Sequence, residues 1–268
     1  MSKATHATGK RSGIILVPAF YLSILALWQV LALLRLAPDY VFPSPLQVGR
    51  RLWELGQDHL LWPSVGATLQ RMIAGFAFSA CLGLFIGVAM GTSWPVNKTL
   101  KSLFLGLQTL PTAAWAPVSL LIFGLSNRGI YFVVVMSSMS AVAIATSDGI
   151  LNIPPIYLRA ARTLGTSRWA MYGRVIIPAA LPGIVTGIKL GWTLGWHGAI
   201  SAELIKSTIG LGFLLEMGRE LNDAAQVIGI MLLTIIFGVL LDQFLFGLVE
   251  RKIRRRWGLT AELDLEAG

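Results

Sequence analysis

Long apolar stretches separated by short polar ones dominate the chain. A helix needs roughly 17 to 25 mainly apolar residues to cross the hydrocarbon core of a bilayer. Six stretches approach or exceed that length, and they define predicted spans at about 14–34, 64–91, 100–124, 130–147, 181–203 and 226–249. The pattern therefore predicts an all-α integral membrane protein of about six transmembrane helices.

Small residues recur every fourth position in the second and fifth predicted spans. They are Gly75, Ser79, Gly83, Gly87 and Gly91 in the second, and Gly183, Gly187, Gly191 and Gly195 in the fifth. Residues at this spacing share one face of a helix, and small side chains there allow a neighbouring helix to approach closely. The third span is interrupted by Pro111 and Pro117. Such breaks survive in a membrane where protein or a water-filled cavity satisfies the freed backbone groups.

Composition supports the membrane class. Hydrophobic residues make up 55% of the 268 positions and charged residues 13%, well below the charged share of about 25% in soluble domains. Mean hydropathy is +0.70. We predict one transmembrane domain, 14–250, with tails at 1–13 and 251–268. The net charge of +9 does not indicate a nucleic-acid partner, because the cations cluster at the ends of apolar runs.

The distribution of positive charge predicts the orientation. Six spans place both termini on one side of the membrane, together with residues 92–101 and 148–180. That side carries 14 of the 22 Lys and Arg residues, and the opposite side carries six. Because Lys and Arg accumulate in cytoplasmic loops, both termini and the 148–180 segment are predicted to be cytoplasmic.

The 148–180 segment is the longest polar break. Pro155 favours the start of a helix, and Gly165 can end that helix in a left-handed turn. Ser167 can cap a second short helix that runs through Val175. The result is a predicted helix-turn-helix outside the membrane. Its apolar side is formed by Leu158, Ala161 and Leu164.

This segment resembles the EAA loop of ABC-importer permeases, whose pattern is Glu-Ala-Ala, three residues, Gly, nine residues and Ile-x-Leu-Pro. The matching stretches are Arg159-Ala160-Ala161, Gly165 and Val175-Ile176-Ile177-Pro178. Spacing agrees throughout, and residue type departs at Arg159, Val175 and Ile177. The wider chain, roughly 14 to 258, is similar to the branch that serves nitrate, aliphatic sulfonates, taurine, bicarbonate and related small anions. The other motifs of that branch are Phe42-Pro43-Ser44-Pro45, Leu110-Pro111, Phe123-Gly124 and Gly210-Leu211-Gly212-Phe213-Leu214.

The resemblance implies a type I ABC-importer fold in a bacterial plasma membrane, with the 148–180 segment as a cytoplasmic coupling loop. It also implies a homodimer of this chain, two ATPase subunits that bind ATP and Mg, and an extracytoplasmic substrate-binding protein. The expected contacts to the ATPase come from seven residues: Arg159, Ala160, Ala161, Arg162, Gly165, Arg168 and Pro178.

Polar residues on the fifth span are the candidate translocation pathway. Their arc lies roughly opposite the glycine stripe and comprises Lys189, Thr193, His197, Ser201 and Glu203. Ionisable residues at membrane depth usually line interiors. The alternative for Lys189 is a pair with a buried carboxylate or carbonyl, or a side chain that extends to the interface. Arg71 of the second span is a further candidate, and its alternatives are carbonyls at the broken third span or the interface.

The sequence contains no recognisable catalytic constellation. No His, Cys and acid cluster has metal-ligand spacing, and Gly9-Lys10 lacks the first Gly and the Ser or Thr of a phosphate-binding loop. We therefore expect no catalytic residue, metal or cofactor in this chain. Two alternatives remain: a gradient-driven secondary transporter of small anions, which would carry inverted repeats and paired acids, and an integral membrane enzyme. Glu203 is the one acid identified at depth.

Overall fold

The computed structural model describes residues 5–34, 38, 40–206 and 208–256, with side chains except those of 5–15, 17, 168, 206 and 248–256. All regular elements in this part of the chain are helical. The first six helices are α1 (Thr5–Leu33), α2 (Pro45–Gln57), α3 (Leu61–Thr92), α4 (Trp94–Gln108), α5 (Trp115–Phe123) and α6 (Asn127–Leu151). The next five are α7 (Pro155–Thr163), α8 (Arg168–Met171), α9 (Ile177–Lys206), α10 (Leu211–Glu220) and α11 (Ala224–Arg256).

Four helical segments are long and apolar enough to cross a membrane, and a bent pair makes a fifth. The four are Leu61–Thr92, Asn127–Leu151, Trp169–Ile205 and Ala224–Gly247. They correspond to the second, fourth, fifth and sixth predicted spans. For the first predicted span, 14–34, the structure has a shorter apolar helix, Pro18–Leu33, within α1. Its role as a span stays a prediction.

The third predicted span is two helices rather than one. Trp94–Gln108 and Thr112–Phe123 meet at 91°, either as a broken span or as a re-entrant loop. The break falls at Pro111, which lacks the N–H that a continuous helix would need. A short 3-10 turn, Thr112–Ala114, follows it, and Gly124 ends α5 with a φ of 61°. The predicted break at Pro111 is therefore a sharp bend, whereas the predicted break at Pro117 is wrong, because Pro117 lies in the first turn of α5 and does not interrupt it.

Helices extend into both predicted tails, and the boundaries between the tails and the transmembrane domain stay predictions. Helix α1 already begins at Thr5, so it includes most of the predicted 1–13 tail. At the other end α11 continues to Arg256, into the predicted 251–268 tail. The remaining tail residues, 1–4 and 257–268, lie outside the described part of the chain.

The chain is divided between two compact units. The first comprises Met1–Trp62 and Leu214–Leu233, and the second Pro63–Phe213 and Thr234–Gly268. In the first unit, Ser44 and Gln47 form a capping box at the start of α2. Arg51 of α2 lies 2.6 Å from Asp223 and donates to Gln226 Oε1 at 3.0 Å. These contacts join α2 to the start of α11.

Helix α6 is the centre of the second unit, and both glycine stripes face it. A Cβ added at Gly87 of α3 would lie 2.6 Å from Thr146 Cβ, and one added at Gly187 of α9 would lie 2.6 Å from Ala145 Cβ. Ser79 of α3 contributes a 2.7 Å hydroxyl–hydroxyl hydrogen bond to Ser138 of α6. The close helix approach predicted from the small residues is therefore confirmed, and one helix provides the contact for both stripes.

Gly87→Ala tests this packing. The added methyl would also lie 2.7 Å from the Ala143 carbonyl oxygen, so backbone must shift. We expect a loss of about 1–3 kcal/mol in the free energy of unfolding, as for other overpacked cores. Gly66→Ala on the same helix is the matched control, because nothing lies within 4 Å of its added Cβ. Denaturant titration of the purified chain in mixed micelles measures both, and equal stability of the two variants would contradict the prediction.

Candidate functional site

Helix α7 follows α6 in the chain and packs against the apolar core of the second unit. Its start at Pro155 agrees with the sequence prediction. Leu158 packs against a buried cluster formed by Ile150 and Ile153, after which the chain turns into α7, and by Ala180 and Ile184 of α9. This contact connects α7 to two spans at once.

The turn after α7 has the geometry that the glycine predicted. Gly165 has a φ of 72°, a left-handed conformation that non-glycine residues rarely adopt. Its N–H donates to the Arg162 carbonyl at 3.0 Å, and the Thr166 N–H donates to the Ala161 carbonyl at 3.1 Å. This pair of bonds is a Schellman motif, which ends the helix and reverses the chain. Ser167 then caps α8 by accepting from Ala170 N–H at 3.4 Å.

The second helix of the loop continues into the membrane span. The sequence predicted that it would stop near Val175, whereas α8 passes through one π-helical turn, Tyr172–Ile176, directly into α9. Pro178 is the second residue of α9 and directly follows the π-helical turn. Pro182 is accommodated inside α9. The prolines therefore do not separate the loop from the span.

The predicted apolar side of the loop divides into a buried and an exposed part. Leu158 is half-buried and Ala161 is buried at 7% exposure, so both pack within their own chain. Leu164, at 84%, is fully exposed. Of the seven predicted coupling residues, Ala161 therefore does not contribute to the exposed face, and the side chain of Arg168 lies outside the described residues. The remaining five, Arg159, Ala160, Arg162, Gly165 and Pro178, are exposed.

Large apolar side chains accompany these residues on the surface of the loop. Ile156 is 62% exposed, and Trp169 is 87% exposed. Exposed apolar side chains within a basic loop are typical of a protein-contact surface. Beside them, a groove of about 400 Å³ lies between α7 and the π-helical turn, lined by Leu158, Arg162, Thr166, Met171, Tyr172 and Ile176.

Glu203 and Arg71, both predicted to line the pathway, form a buried polar cluster. Arg71 Nη1 donates to Glu203 Oε1 at 2.8 Å and to the Ile209 carbonyl at 2.6 Å. Thr68 Oγ1 donates to Glu203 Oε2 at 2.7 Å. Glu203 is fully buried, and Arg71 is 8% exposed. Because these polar atoms are occupied in contacts within the chain, the arrangement favours a structural role for the pair over a place in the pathway.

The same cluster holds the start of α10. The Gly212 N–H donates to Glu203 Oε2 at 3.1 Å, and the Leu211 N–H donates to Thr68 Oγ1 at 2.9 Å. A carboxylate at a helix N-terminus is favourable because the N–H groups there lack intrahelical partners. Gly210 has a φ of 145°, and a Cβ on it would lie 2.5 Å from the Glu203 carboxylate. The Gly-Leu-Gly motif is thus explained by its contact with Glu203.

Lys189 is paired across the bundle with an acid that the sequence analysis missed. Its Nζ lies 3.3 Å from Asp242 Oδ2 on α11. The expected positive character of the pathway is therefore offset by a carboxylate at this point. Asp242 could have been recognised as a second acid inside the sixth apolar run, 226–249.

The other three predicted pathway residues line one cavity. Thr193, His197 and Ser201 face an open cavity of about 570 Å³ between α9 and α11. Its wall also includes Trp192, Trp196, Thr234, Asp242 and Gln243. The structure therefore groups the middle of the predicted polar arc and separates Glu203 from it. Among the described residues, no three His, Cys, Asp or Glu side chains are grouped to hold a metal.

Residues 79–256 match the family described as binding-protein-dependent transport system inner membrane component. The chain belongs to this family. It is a multi-pass inner-membrane protein, and members of the family are permease subunits rather than enzymes. The resemblance inferred from the EAA-like loop is confirmed.

Several relatives cover most of this permease. Taurine transport system permease protein TauC of Escherichia coli is 30% identical over 87% of this chain and 85% of its own length. Nitrate import permease protein NrtB of Leptolyngbya laminosa is 29% identical over 88% and 85%. Bicarbonate transport system permease protein CmpB of Synechococcus elongatus is 30% identical over 88% of both chains.

A solved structure has the same fold. A chain of the inward-facing MetNI methionine ABC transporter superposes with a TM-score of 0.64 at 20% identity, covering 74% of this permease and 98% of that chain. The predicted type I importer fold is confirmed. Membership of an ABC-importer permease family also decides against the secondary-transporter and membrane-enzyme alternatives.

Removing one partner of the Arg71–Glu203 pair should destabilise the permease strongly. Arg71→Ala leaves the Glu203 carboxylate buried without its cation, for which a loss of about 3–5 kcal/mol is typical. Arg71→Met combined with Glu203→Leu should recover part of this loss, since neither charge is then buried alone. Thermal inactivation of the detergent-solubilised protein measures both effects.

Arg219→Ala provides the control for this experiment. Arg219 pairs with Glu216 on the surface of α10, where both side chains reach solvent. The Arg219→Ala variant should be as stable as the native permease, because exposed ion pairs contribute little to the free energy of unfolding. Equal stability of Arg71→Ala and Arg219→Ala would contradict a stabilising role for the buried pair.

Proposed function

We propose that this permease is the membrane subunit of an ATP-driven importer that moves a small anion, such as a sulfonate, taurine or nitrate, into the cytoplasm. The observation that carries the proposal is the packing of α7 against both α6 and α9. The chain also belongs to the binding-protein-dependent transport family. A separate ATPase docks on the 155–178 loop and binds ATP and Mg. The chain itself supplies the pathway and no catalytic residue.

The coupling proposal rests on how force would pass from the loop to the spans. Leu158 of α7 contacts a cluster that includes Ile150 of α6 and Ile184 of α9. A displacement of α7 therefore moves the cytoplasmic ends of both helices, because packed side chains do not compress. The π-helical turn continues this path without an intervening loop. ATP binding would bring two such loops together and switch the spans between outward and inward opening.

The proposed assembly contains a second copy of this permease, two ATPase subunits and an extracytoplasmic binding protein. Family membership supports the binding protein and the ATPase. The second copy is proposed from the resemblance to type I ABC importers. One copy leaves large apolar side chains exposed along its spans, among them Phe78, Phe85, Ile235 and Phe244. These side chains would meet either the second copy or lipid.

The proposal that the substrate is a small anion is based on the names of the relatives. Their names specify taurine, nitrate and bicarbonate, all small molecules with an anionic group. In this permease the corresponding path would follow the polar face of α9, where Thr193, His197 and Ser201 line a cavity. The binding protein would select among such molecules before they reach the membrane.

Ala160→Trp tests ATPase docking. Ala160 is exposed on α7, so a large side chain there blocks a partner without disturbing the core. We expect the variant to insert normally, to lose co-purification with the ATPase encoded nearby, and to abolish ATP-driven uptake. Gly49→Trp is the control, since Gly49 is exposed on α2 and nothing lies within 4 Å of an added Cβ. Retention of the ATPase by Ala160→Trp would contradict the proposed docking surface.

Cysteine labelling tests the proposed cytoplasmic location of the loop. In a Cys81→Ser background, Leu164→Cys should react with a membrane-impermeant maleimide only after the cells are opened, since Leu164 is 84% exposed on the proposed cytoplasmic loop. Leu125→Cys, 75% exposed between α5 and α6, should react in intact spheroplasts. The reverse pattern would invert the orientation.

A further inference from the structure

The groove between α7 and the π-helical turn combines an apolar lining with one arginine. Its volume is about 400 Å³. The apolar and aromatic part of the lining is Leu158, Met171, Tyr172 and Ile176, and the polar part is Thr166 and Arg162. Arg162 is exposed, whereas the other five side chains are half-buried. A chain segment that carries both apolar side chains and negative charge would match these features.

The positive charge around this groove is not balanced within the described part of the chain. Arg159 and Arg162 of α7 and Arg174 of the π-helical turn are exposed. Among the residues that the structure describes, none of the three forms an ion pair with an acid. Asp148, at the end of α6, is paired with Lys101 instead. The arginines are therefore available to an acidic partner.

The chain itself contains a segment of matching chemistry. Residues 257–268, outside the described part, carry three of the 13 acidic residues and no Lys or Arg. The acids, Glu262, Asp264 and Glu266, alternate with Leu263 and Leu265. Successive side chains of an extended chain point to opposite sides. The pattern therefore sets two leucines, which suit the apolar lining, against three carboxylates, which suit the arginines.

Helices α9 and α11 are antiparallel neighbours, so the end of α11 lies on the same side of the membrane as the groove. The Trp192 ring contacts that of Phe246 at 6.2 Å, and Trp196 lies against Gly238. Position numbers thus rise along α9 as they fall along α11.

This packing also places the end of α11 near the level of the groove. Arg256 lies eighteen positions after Gly238, and Pro178 lies eighteen before Trp196, so Arg256 and Pro178 are at about the same level. Ile176 of the groove is two residues before Pro178. Packed helices are about 8–10 Å apart, and the six residues 257–262 can span about 20 Å when extended. The acidic segment can therefore reach the groove of its own chain.

We propose that residues 262–266 bind in this groove of their own chain, with Leu263 and Leu265 against the apolar lining and the carboxylates at Arg162 and the neighbouring arginines. Arg162 is also one of the residues expected to contact the ATPase. The bound segment and the ATPase therefore compete for this arginine, and the segment limits ATPase docking. The competition rests on the proposed function, whereas the binding of the segment does not.

Disulfide cross-linking of the full chain tests the binding. In a Cys81→Ser background, Thr166→Cys places a thiol in the groove, and Ala261→Cys places one directly before the acidic segment. The purified permease in lipid nanodiscs is oxidised without ATPase, and the initial rate of disulfide formation within one chain is measured by mass spectrometry. The reaction should be several-fold slower in 0.5 M NaCl than at low salt, because salt screens exposed ion pairs.

Charge variants distinguish binding from random encounter. Glu262→Gln, Asp264→Asn and Glu266→Gln combined keep the size of the segment but remove its charge, and they should lower the rate about fivefold or more. Arg162→Gln should lower it about two- to fivefold, as expected for the loss of one exposed ion pair.

Arg219→Gln is the matched control, because Arg219 is exposed on α10 and does not line the groove. It should leave the rate unchanged. If Thr166→Cys impairs folding, Met171→Cys provides a second position for the thiol in the groove.

Equal rates for the native and uncharged segments, or for Arg162→Gln and Arg219→Gln, would overturn the proposed binding. Disulfides between two chains rather than within one would also contradict it, since the groove would then bind the segment of a second copy.

The competition has a separate measurement. Addition of the ATPase to the permease with both cysteines should slow disulfide formation about fivefold or more. An unchanged rate with the ATPase bound would overturn the competition. A failure of the proposed function would instead appear as loss of ATPase co-purification from the native protein, and it would leave the cross-linking result without ATPase unaffected.

Discussion

The close contact of two glycine-lined helices with α6 is the constraint on which the rest of the second unit depends. Within a bilayer the apolar surface gains nothing by leaving lipid, so helices associate through packing and hydrogen bonds. Gly83 and Gly87 of α3 and Gly183 and Gly187 of α9 bring backbones to distances that a methyl group would prevent. Helix α6 is consequently the most buried of the candidate spans.

This arrangement determines where polar chemistry can occur. Because the glycine face of α9 is occupied by α6, its polar face is turned toward α11, where Lys189 pairs with Asp242 and a cavity opens. At the end of α9 the polar groups are instead paired within the chain, because Glu203 accepts hydrogen bonds from Thr68, Arg71 and the first N–H groups of α10. Helix α9 thus carries a satisfied structural cluster at one end and forms one wall of a cavity in its middle.

The 155–178 loop illustrates how the fold divides a short motif between two tasks. Ala161 and Leu158 attach α7 to the core, whereas Ala160, Leu164 and Trp169 face outward. Two adjacent alanines therefore have different roles. The tight turn at Gly165 allows the chain to reverse, and the helix that follows enters the membrane without a loop. A partner bound to the outer face would act directly on α6 and α9.

By itself the sequence determined the fold class, four of the spans, the close packing of the glycine stripes, the start of α7 and its glycine turn. Each depends on local composition or spacing, which is visible along the chain. Only the tertiary structure decided that both stripes meet the same helix, that Glu203 pairs with Arg71 over 132 positions, and that Lys189 pairs with Asp242. The partner of a charged residue is chosen by helix packing across the bundle, and neither periodicity nor charge count along one helix contains that information.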